Sequence, residues 1–422
     1  MIKRDTIDKF YNNKEVIFLI CINVILYFNT LFFGFVWDDI RQIVFNDSLI
    51  SSIKDLSFLT SRVGENVSYY RPIFFLSLAI DALIFGYSEW GFHLSNLVLH
   101  TLVVITVYKL IQCLSFGKNV AFFTALIFTL HPSHSEAVAW ISARNELLYS
   151  LLGLIAFHFY IRKSFWGYLF FILSILSKET AVVLPILFIL YDFFWRKSFE
   201  KSKILYISGY LLIIFAYLGF RKYLLPEPFG DPVPLSIKFF TVINNVVFYL
   251  KKFLYPFDLK IFYTGLVKVG VDKEVFFSFI LLIFLFSLYL LLLRKEKKLF
   301  FFIFWFLLLI LPVSGVVITS TITFGSDRYL YLPSLGLSVL TAYFISKVPS
   351  KAQIVIILLL MFLWGGYSVK RNLVFKNQEV FIANALRDAP NDSLVWNEVG
   401  VYYFLIGDLD KAESIFRKVI SI

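Results

Sequence analysis

Residues 16–41 read VIFLICINVILYFNTLFFGFVWDDIR. The run Val16–Val36 is almost wholly apolar and matches the roughly 20 residues that a helix needs to cross a bilayer. Lys3, Arg4, Lys9 and Lys14 precede it. It is too long for the apolar centre of a secretion signal and lacks a small-residue cleavage site. It therefore reads as a signal-anchor helix with a cytoplasmic N-terminus. At its far end, directly after Trp37, stand two adjacent carboxylates, Asp38 and Asp39. Such a pair is unfavourable beside lipid. It is either a solvated helix end or a working group, a general base or a metal ligand.

The rest of the chain repeats this pattern. Of its 422 residues, 59% are apolar and 16% charged, against about 45–50% and about 25% in soluble domains. Too few charges remain to cover the roughly three domains that this length would make in water. A soluble multidomain enzyme, a disordered chain and a disulfide scaffold are thereby excluded. Cys21 and Cys113 make neither a disulfide framework nor a metal set.

Further apolar runs are Phe92–Gln112, Asn119–His131, Asn145–Ile161, Phe165–Ser177 and Ala181–Trp195. Lys203–Lys222, Val275–Leu293, Leu299–Ile318, Leu330–Lys347 and Ala352–Val369 follow, which makes about eleven spans. Several are short, so their ends are expected to run into the flanking loops. Every second loop is basic: Lys109 with Lys118, Arg162-Lys163, Arg196-Lys197 with Lys201 and Lys203, Arg294-Lys295 with Lys297-Lys298, and Lys347 with Lys351. The net charge of +11 thus reports orientation, basic loops inside, rather than a nucleic-acid partner. An odd number of spans puts the C-terminus outside. Pro72–Tyr87, with Asp81 at mid-length, and Leu235–Tyr255, with Asn244 and Asn245, would reverse the alternation if they crossed. Both read as amphipathic helices in the outer interface. The expected fold is all-α and polytopic: a membrane domain over 1–370, with outer loops at 37–91 and 223–274, then an extracytoplasmic segment over 371–422.

That last segment turns polar. Ser393–Ile422 places Trp396, Val399, Gly400, Tyr403, Gly407, Ala412 and Phe416 at tetratricopeptide spacing. Small Gly400 and Ala412 would let two antiparallel helices pack closely, with Gly407-Asp408 as the turn. Asn377–Ala389 reads as the second helix of a preceding repeat. One repeat cannot bury its own face, so either further repeats or a minimal cap is expected.

The outer side also carries the other unusual polar residues. His131-Pro132-Ser133-His134-Ser135-Glu136 could ligate a metal. H-x-x-H-x-E is no known helical zinc spacing, however, so loop hydrogen bonding is favoured. Arg144 and Glu146, at i and i+2, cannot face each other on a helix; each must find another partner, which points to a polar cavity. His93, Asn96 and His100 form a stripe suited to helix packing. Lys178 and Arg328 read as outward cations near the depth of lipid phosphates, either snorkelling anchors or phosphate binders.

Taken in order, Phe35-Val36-Trp37-Asp38-Asp39, Tyr70-Arg71-Pro72, Gly91-Phe92-His93-Leu94-Ser95-Asn96, His131-Pro132-Ser133-His134-Ser135-Glu136-Ala137-Val138, Leu176-Ser177-Lys178-Glu179 and Asp327-Arg328-Tyr329-Leu330-Tyr331-Leu332-Pro333-Ser334 resemble the transmembrane and tetratricopeptide-repeat O-mannosyltransferases. These are GT-C glycosyltransferases, which take a sugar from a polyprenyl-phosphate carrier. The resemblance implies that one of Asp38 and Asp39, with Asp38 favoured, is the base that deprotonates an acceptor hydroxyl. It offers Glu146 as a second acid, with Glu136 the alternative. Arg71, Arg144, Lys178 and Arg328, with His131 and His134, are then the candidates for holding the donor phosphate or substrate. A monophosphate leaving group needs charge stabilisation but no added proton, so a divalent metal is possible but not expected, and no cofactor is implied. The implied partners are the lipid-linked donor, membrane lipids and a protein or peptide acceptor, with a further protein able to dock on the repeat. The richness in Phe, Ile, Lys and Asn points to an AT-rich genome and a bacterial plasma membrane. Asn66-Val67-Ser68 and Asn391-Asp392-Ser393 are glycosylation sequons. The competing readings are a non-catalytic membrane scaffold that binds proteins through its repeat, and a transporter. A transporter would place its charges near mid-span, and here they lie at the span ends.

Overall fold

The computed structural model describes residues 14–60, 62–63, 69–196, 201–225, 233–293, 296–315 and 325–421. Lys3, Arg4 and Lys9, the sequon at Asn66, Lys197, Arg294-Lys295 and the end of the Leu299–Ile318 run lie outside these residues. Apolar helices follow one another along the chain. They are α1 (Lys14–Phe32), α2 (Pro72–Phe85), α3 (Glu89–Cys113), α4 (Lys118–Leu130), α5 (His134–Ala139), α6 (Arg144–Ile161), α7 (Trp166–Ser177) and α8 (Leu184–Trp195). Then come α9 (Lys201–Leu224), α10 (Leu235–Leu254), α11 (Lys273–Leu293), α12 (Lys297–Ile310), α13 (Ser334–Lys347) and α14 (Ser350–Phe375). The polar C-terminal segment forms α15 (Gln378–Asp388), α16 (Ser393–Leu405) and α17 (Leu409–Ser421). A two-residue antiparallel hairpin, β1 (Arg62–Val63) on β2 (Tyr69–Tyr70), is the one sheet among the described residues.

Among the described residues, four helices, α1, α3, the Ile204–Leu224 part of α9, and α14, are long and apolar enough to cross a membrane. Phe215, Phe277, Phe286 and Phe362 lie exposed on the outer surfaces of α9, α11 and α14. So many large apolar side chains facing outward suit lipid rather than water, and the chain is an integral membrane protein.

Other runs differ from expectation. The short ones do not lengthen into their loops: α4 has 13 residues, and α7 and α8 have 12 each. The polar turns that end them are drawn into the bundle, where neighbouring side chains satisfy the freed backbone groups. Ser368 donates to the Leu130 carbonyl at the end of α4 (3.0 Å), and Asn372 donates to Leu26 O in α1 (2.9 Å). α14, in turn, does not stop at Val369. It continues to Phe375 and buries Arg371 and Asn372. Close helix approach is visible at Gly336 in α13, where a Cβ would lie 2.2 Å from Phe302 O of α12. The two stretches read as interfacial become α2 and α10. Each turns polar residues inward, Asp81 in one and Asn244 and Asn245 in the other, and leaves apolar ones such as Leu83, Ile84, Leu235 and Phe239 exposed.

The polar residues gather at one end of the bundle, where α1, α4, α7 and α14 finish and α3, α6 and α13 begin. At the opposite end, Lys118 pairs with Glu15 (2.7 Å) and Arg196 donates to the Ile161 carbonyl that closes α6. The C-terminal segment folds onto the polar end. Asn377 and Asp392 cap α15 and α16 through their side chains. Gly407 takes φ +83° in the turn between α16 and α17, and a Cβ on Gly400 would lie 2.6 Å from the Phe416 ring. This helical hairpin packs as the Gly400 and Ala412 spacing requires.

Candidate active site

Asp38 and Asp39 follow the extended residues that leave α1, and the fold treats them oppositely. Asp39 is fully buried. It accepts from Val36 N (3.1 Å), from Ser142 N (2.8 Å) and from the Ser142 hydroxyl. It thereby ties its own turn to the loop ahead of α6. Burial pushes its carboxyl up to about 7 against those hydrogen bonds. Asp38 is half-buried, and no described residue hydrogen-bonds its carboxylate. It lines a small cleft with Trp37, Arg41, Gln378, Glu398 and Tyr402. Burial raises its carboxyl above the usual range, opposed by Arg328, Arg41 and Arg71, whose charges reach it.

Those cations are held by acids from other elements. Arg71, at the start of α2, makes a two-pronged pair with Glu179 (2.9 and 2.6 Å) and lies over the Tyr69 ring (4.2 Å). Arg328 pairs with Glu136 and sits between the rings of Trp140 (4.8 Å) and Tyr329 (5.0 Å). Lys178 pairs with Glu146 and faces Tyr149 and Tyr329. The Arg328 and Arg71 side chains keep 22% and 12% exposure, whereas Lys178 keeps 5% and Glu136 and Glu146 1% each. Glu136 and Glu146, both expected as catalytic candidates, are each paired with a cation, Arg328 and Lys178. Behind Arg328, Asp327 joins Arg371 (3.0 Å) and accepts from the Tyr263 hydroxyl (2.5 Å).

Three expected site residues stand apart from this rim. Arg144 is 1% exposed and enclosed. It pairs with Asp81 (2.6 Å) and donates to Asn96 Oδ1 (2.6 Å), Phe92 O (2.8 Å) and Ser77 O (3.2 Å). Asn96 in turn donates to Val138 O and Trp140 O. The guanidinium therefore stitches α2, α3, α5 and α6 together in an enclosed site. His131 stacks on Phe253 (4.8 Å) and bonds Phe253 O and Ser133, while His134 bonds Ser334. Burial pulls His131 down to about 4 and His134 well below the imidazole range, so both are neutral packing groups. Among the described residues, no three His, Cys, Asp or Glu side chains converge where a metal could sit.

Sequence reasoning passed over the partners. Glu179 and Asp327 stand beside Lys178 and Arg328 in sequence, and Asp81 lies within α2. Tyr69, Ser142, Arg371 and Gln378 drew no notice. The available signal was charge balance: each isolated cation near the apolar runs needed an acid, and Glu179 and Asp81 were the unassigned ones nearby.

Residues 71–219 match the family described as Dolichyl-phosphate-mannose-protein mannosyltransferase. Over 414 residues, 92% of this chain and 59% of the relative, the protein is 25% identical to Protein O-mannosyl-transferase F38B6.6 of Caenorhabditis elegans. Over 159 residues it is 34% identical to Protein O-mannosyl-transferase TMTC3 of Mus musculus, covering 36% of this chain and 17% of that one. ArnT from Cupriavidus metallidurans in the apo state has the same fold, with a TM-score of 0.52 at 13% identity over 96% of this chain and 73% of that chain. The chain shares that membrane fold. It is similar to proteins named protein O-mannosyl-transferases, as its motifs imply, and it spans less than two thirds of the length of those relatives.

Proposed function

We propose that the protein is a membrane glycosyltransferase that moves a sugar from a polyprenyl-phosphate carrier to an acceptor hydroxyl, a Ser or Thr of a protein. Mannose is the sugar by the names of the relatives. The observation that carries the reading is Asp38, a half-buried carboxylate without a hydrogen-bond partner among the described residues, which lines a cleft with Arg41 and Gln378 and feels the charges of Arg328 and Arg71.

In this reading the acceptor enters the cleft and gives its hydroxyl proton to Asp38 as its oxygen attacks the anomeric carbon. The bond from that carbon to the phosphate oxygen breaks, and its electron pair leaves with the polyprenyl phosphate. Arg71 and Arg328 meet the growing negative charge with guanidinium donors. Attack opposite the leaving group inverts the anomeric configuration. Glu179 and Glu136 hold the two arginines, and Lys178 with Glu146 sets the charge behind them. Asp39 aims the turn and Arg144 holds the helices. No step requires a metal. The polar end of the bundle faces the extracytoplasmic side of a bacterial plasma membrane, the N-terminus lies in the cytoplasm, and α16 and α17 form a tetratricopeptide-type hairpin.

The test is transfer by purified full-length protein from labelled polyprenyl-phosphate mannose to Ser/Thr peptides, beside Asp38→Asn and Asp39→Asn. The expected result is transfer by the wild type and its loss in Asp38→Asn. Equal transfer by Asp38→Asn would overturn the assignment of the base. If no donor is consumed, the scaffold reading takes its place.

A further inference from the structure

The backbone beside Asp38 is unusual. Trp37 takes φ +52°, a left-handed conformation that a residue with a Cβ rarely adopts. Asp38 is the next residue, so the direction of its carboxylate depends on that turn. What holds the turn comes from the far end of the chain. Gln378, 7% exposed, accepts the Trp37 amide at its Oε1 (2.6 Å). The Trp37 ring packs on Phe381 of α15 (5.2 Å) and on Phe262 (5.6 Å). Two residues before Gln378, the Lys376 carbonyl accepts from Gly34 N (2.9 Å), and across the cleft Glu398 of α16 pairs with Arg41 (2.9 Å). The Trp37 hydrogen bond reaches the residue next to the base and spans 341 positions of the chain.

We propose that Gln378 is a positioning residue, which holds Trp37 in the left-handed turn and so aims the Asp38 carboxylate into the cleft. The inference rests on Asp38 being the base. Its consequence is that the segment after the last membrane helix sets the geometry of a group made by the first outer loop. Displacing α15, as by a protein drawn onto the C-terminal helices, would then alter turnover without touching the donor's contacts.

The test uses full-length Gln378→Ala and Gln378→Glu in lipid nanodiscs, with labelled polyprenyl-phosphate mannose and a Ser/Thr peptide. A displacement of about 1 Å at a reacting group can cost up to about a hundredfold. Gln378→Ala is therefore expected to lower kcat about ten- to a hundredfold, with the donor KM changed less than threefold. The groups that face Asp38 are Arg328, Arg41 and Arg71, with Asp39 beside it and Glu398 behind Arg41. Burial raises its carboxyl, so a turn that relaxes toward water moves the acid limb of the rate profile to lower pH as the plateau falls. Gln378→Glu keeps the acceptor oxygen, so it restores most of kcat, and its added negative charge moves the limb up. A merely structural role lowers the rate equally at every pH, with no rescue by Gln378→Glu; that result, or an unchanged kcat in Gln378→Ala, would overturn the inference while leaving the glycosyltransferase reading intact. A wild type that transfers nothing overturns both.

Discussion

Two groups of charges at the same end of the bundle use the same chemistry to opposite ends. Around Arg144 the site is closed: Asp81, Asn96 and two carbonyls surround a guanidinium with 1% exposure. Around Asp38 the charges stay open: Arg71 pairs with Glu179 and one ring and Arg328 with Glu136 and two rings, yet their side chains keep 12% and 22% exposure, and their charges reach a carboxylate that no described residue hydrogen-bonds. Charge type does not distinguish a structural group from a working one here. Whether the donors are used up does.

The strongest way to break that contrast is Asp38→Asn. Losing a general base costs about 10²–10⁴-fold in rate, so transfer should fall by that much while thermal unfolding in detergent stays near wild type. An equal loss of stability would make Asp38 structural after all. In the same assay, the wild-type rate should fall as pH drops through an apparent pKa above the ordinary aspartate value of about 4. The base must be ionised, and burial raises its pKa.

Arg144→Ala reverses the expectation. Removing one partner of a buried pair costs about 3–5 kcal/mol, because Asp81 is left charged and enclosed, so the midpoint of unfolding should drop sharply. A stable Arg144→Ala protein that fails only in donor binding would restore the arginine to the site. Arg328→Lys is milder. Lysine keeps the charge but loses the planar fork, and the donor KM should rise about tenfold, roughly 1.4 kcal/mol, with folding nearly unchanged. The smallest effect belongs to Glu413→Ala on the exposed face of α17. Its pair with Arg417 is an i,i+4 surface contact, worth about 0.3–0.5 kcal/mol, and neither stability nor transfer should move measurably.

Much of this was legible in the order of residues. The apolar runs, the acidic pair after the first run, and the hairpin spacing through Gly400, Gly407 and Ala412 are local signals, and the helices appear where they lie. The choice between Asp38 and Asp39 was not legible, because adjacent identical residues differ only in what the fold brings to each. Ser142 comes from 103 positions away to occupy Asp39. Arg144 misled for the same reason: a cation at a helix start looks available until Asp81 and Asn96 close on it. His131 and His134 had the composition of a metal or substrate site, and packing against Phe253 and Ser334 made them neutral and inaccessible. Gln378 left no mark at all, since nothing in a glutamine after a helix break announces a bond to Trp37.

Composition and period decided that the protein lives in a bilayer as a helical bundle and that its unexplained acids collect at span ends. Those outcomes follow from the cost of exposing polar groups to lipid, which acts residue by residue along the chain. The tertiary fold alone decided which charges cancel and which stay available, because pairing depends on contacts between positions far apart in the chain. That is where the difference between a lock such as Arg144 and a rim such as Asp38 with Arg328 was made.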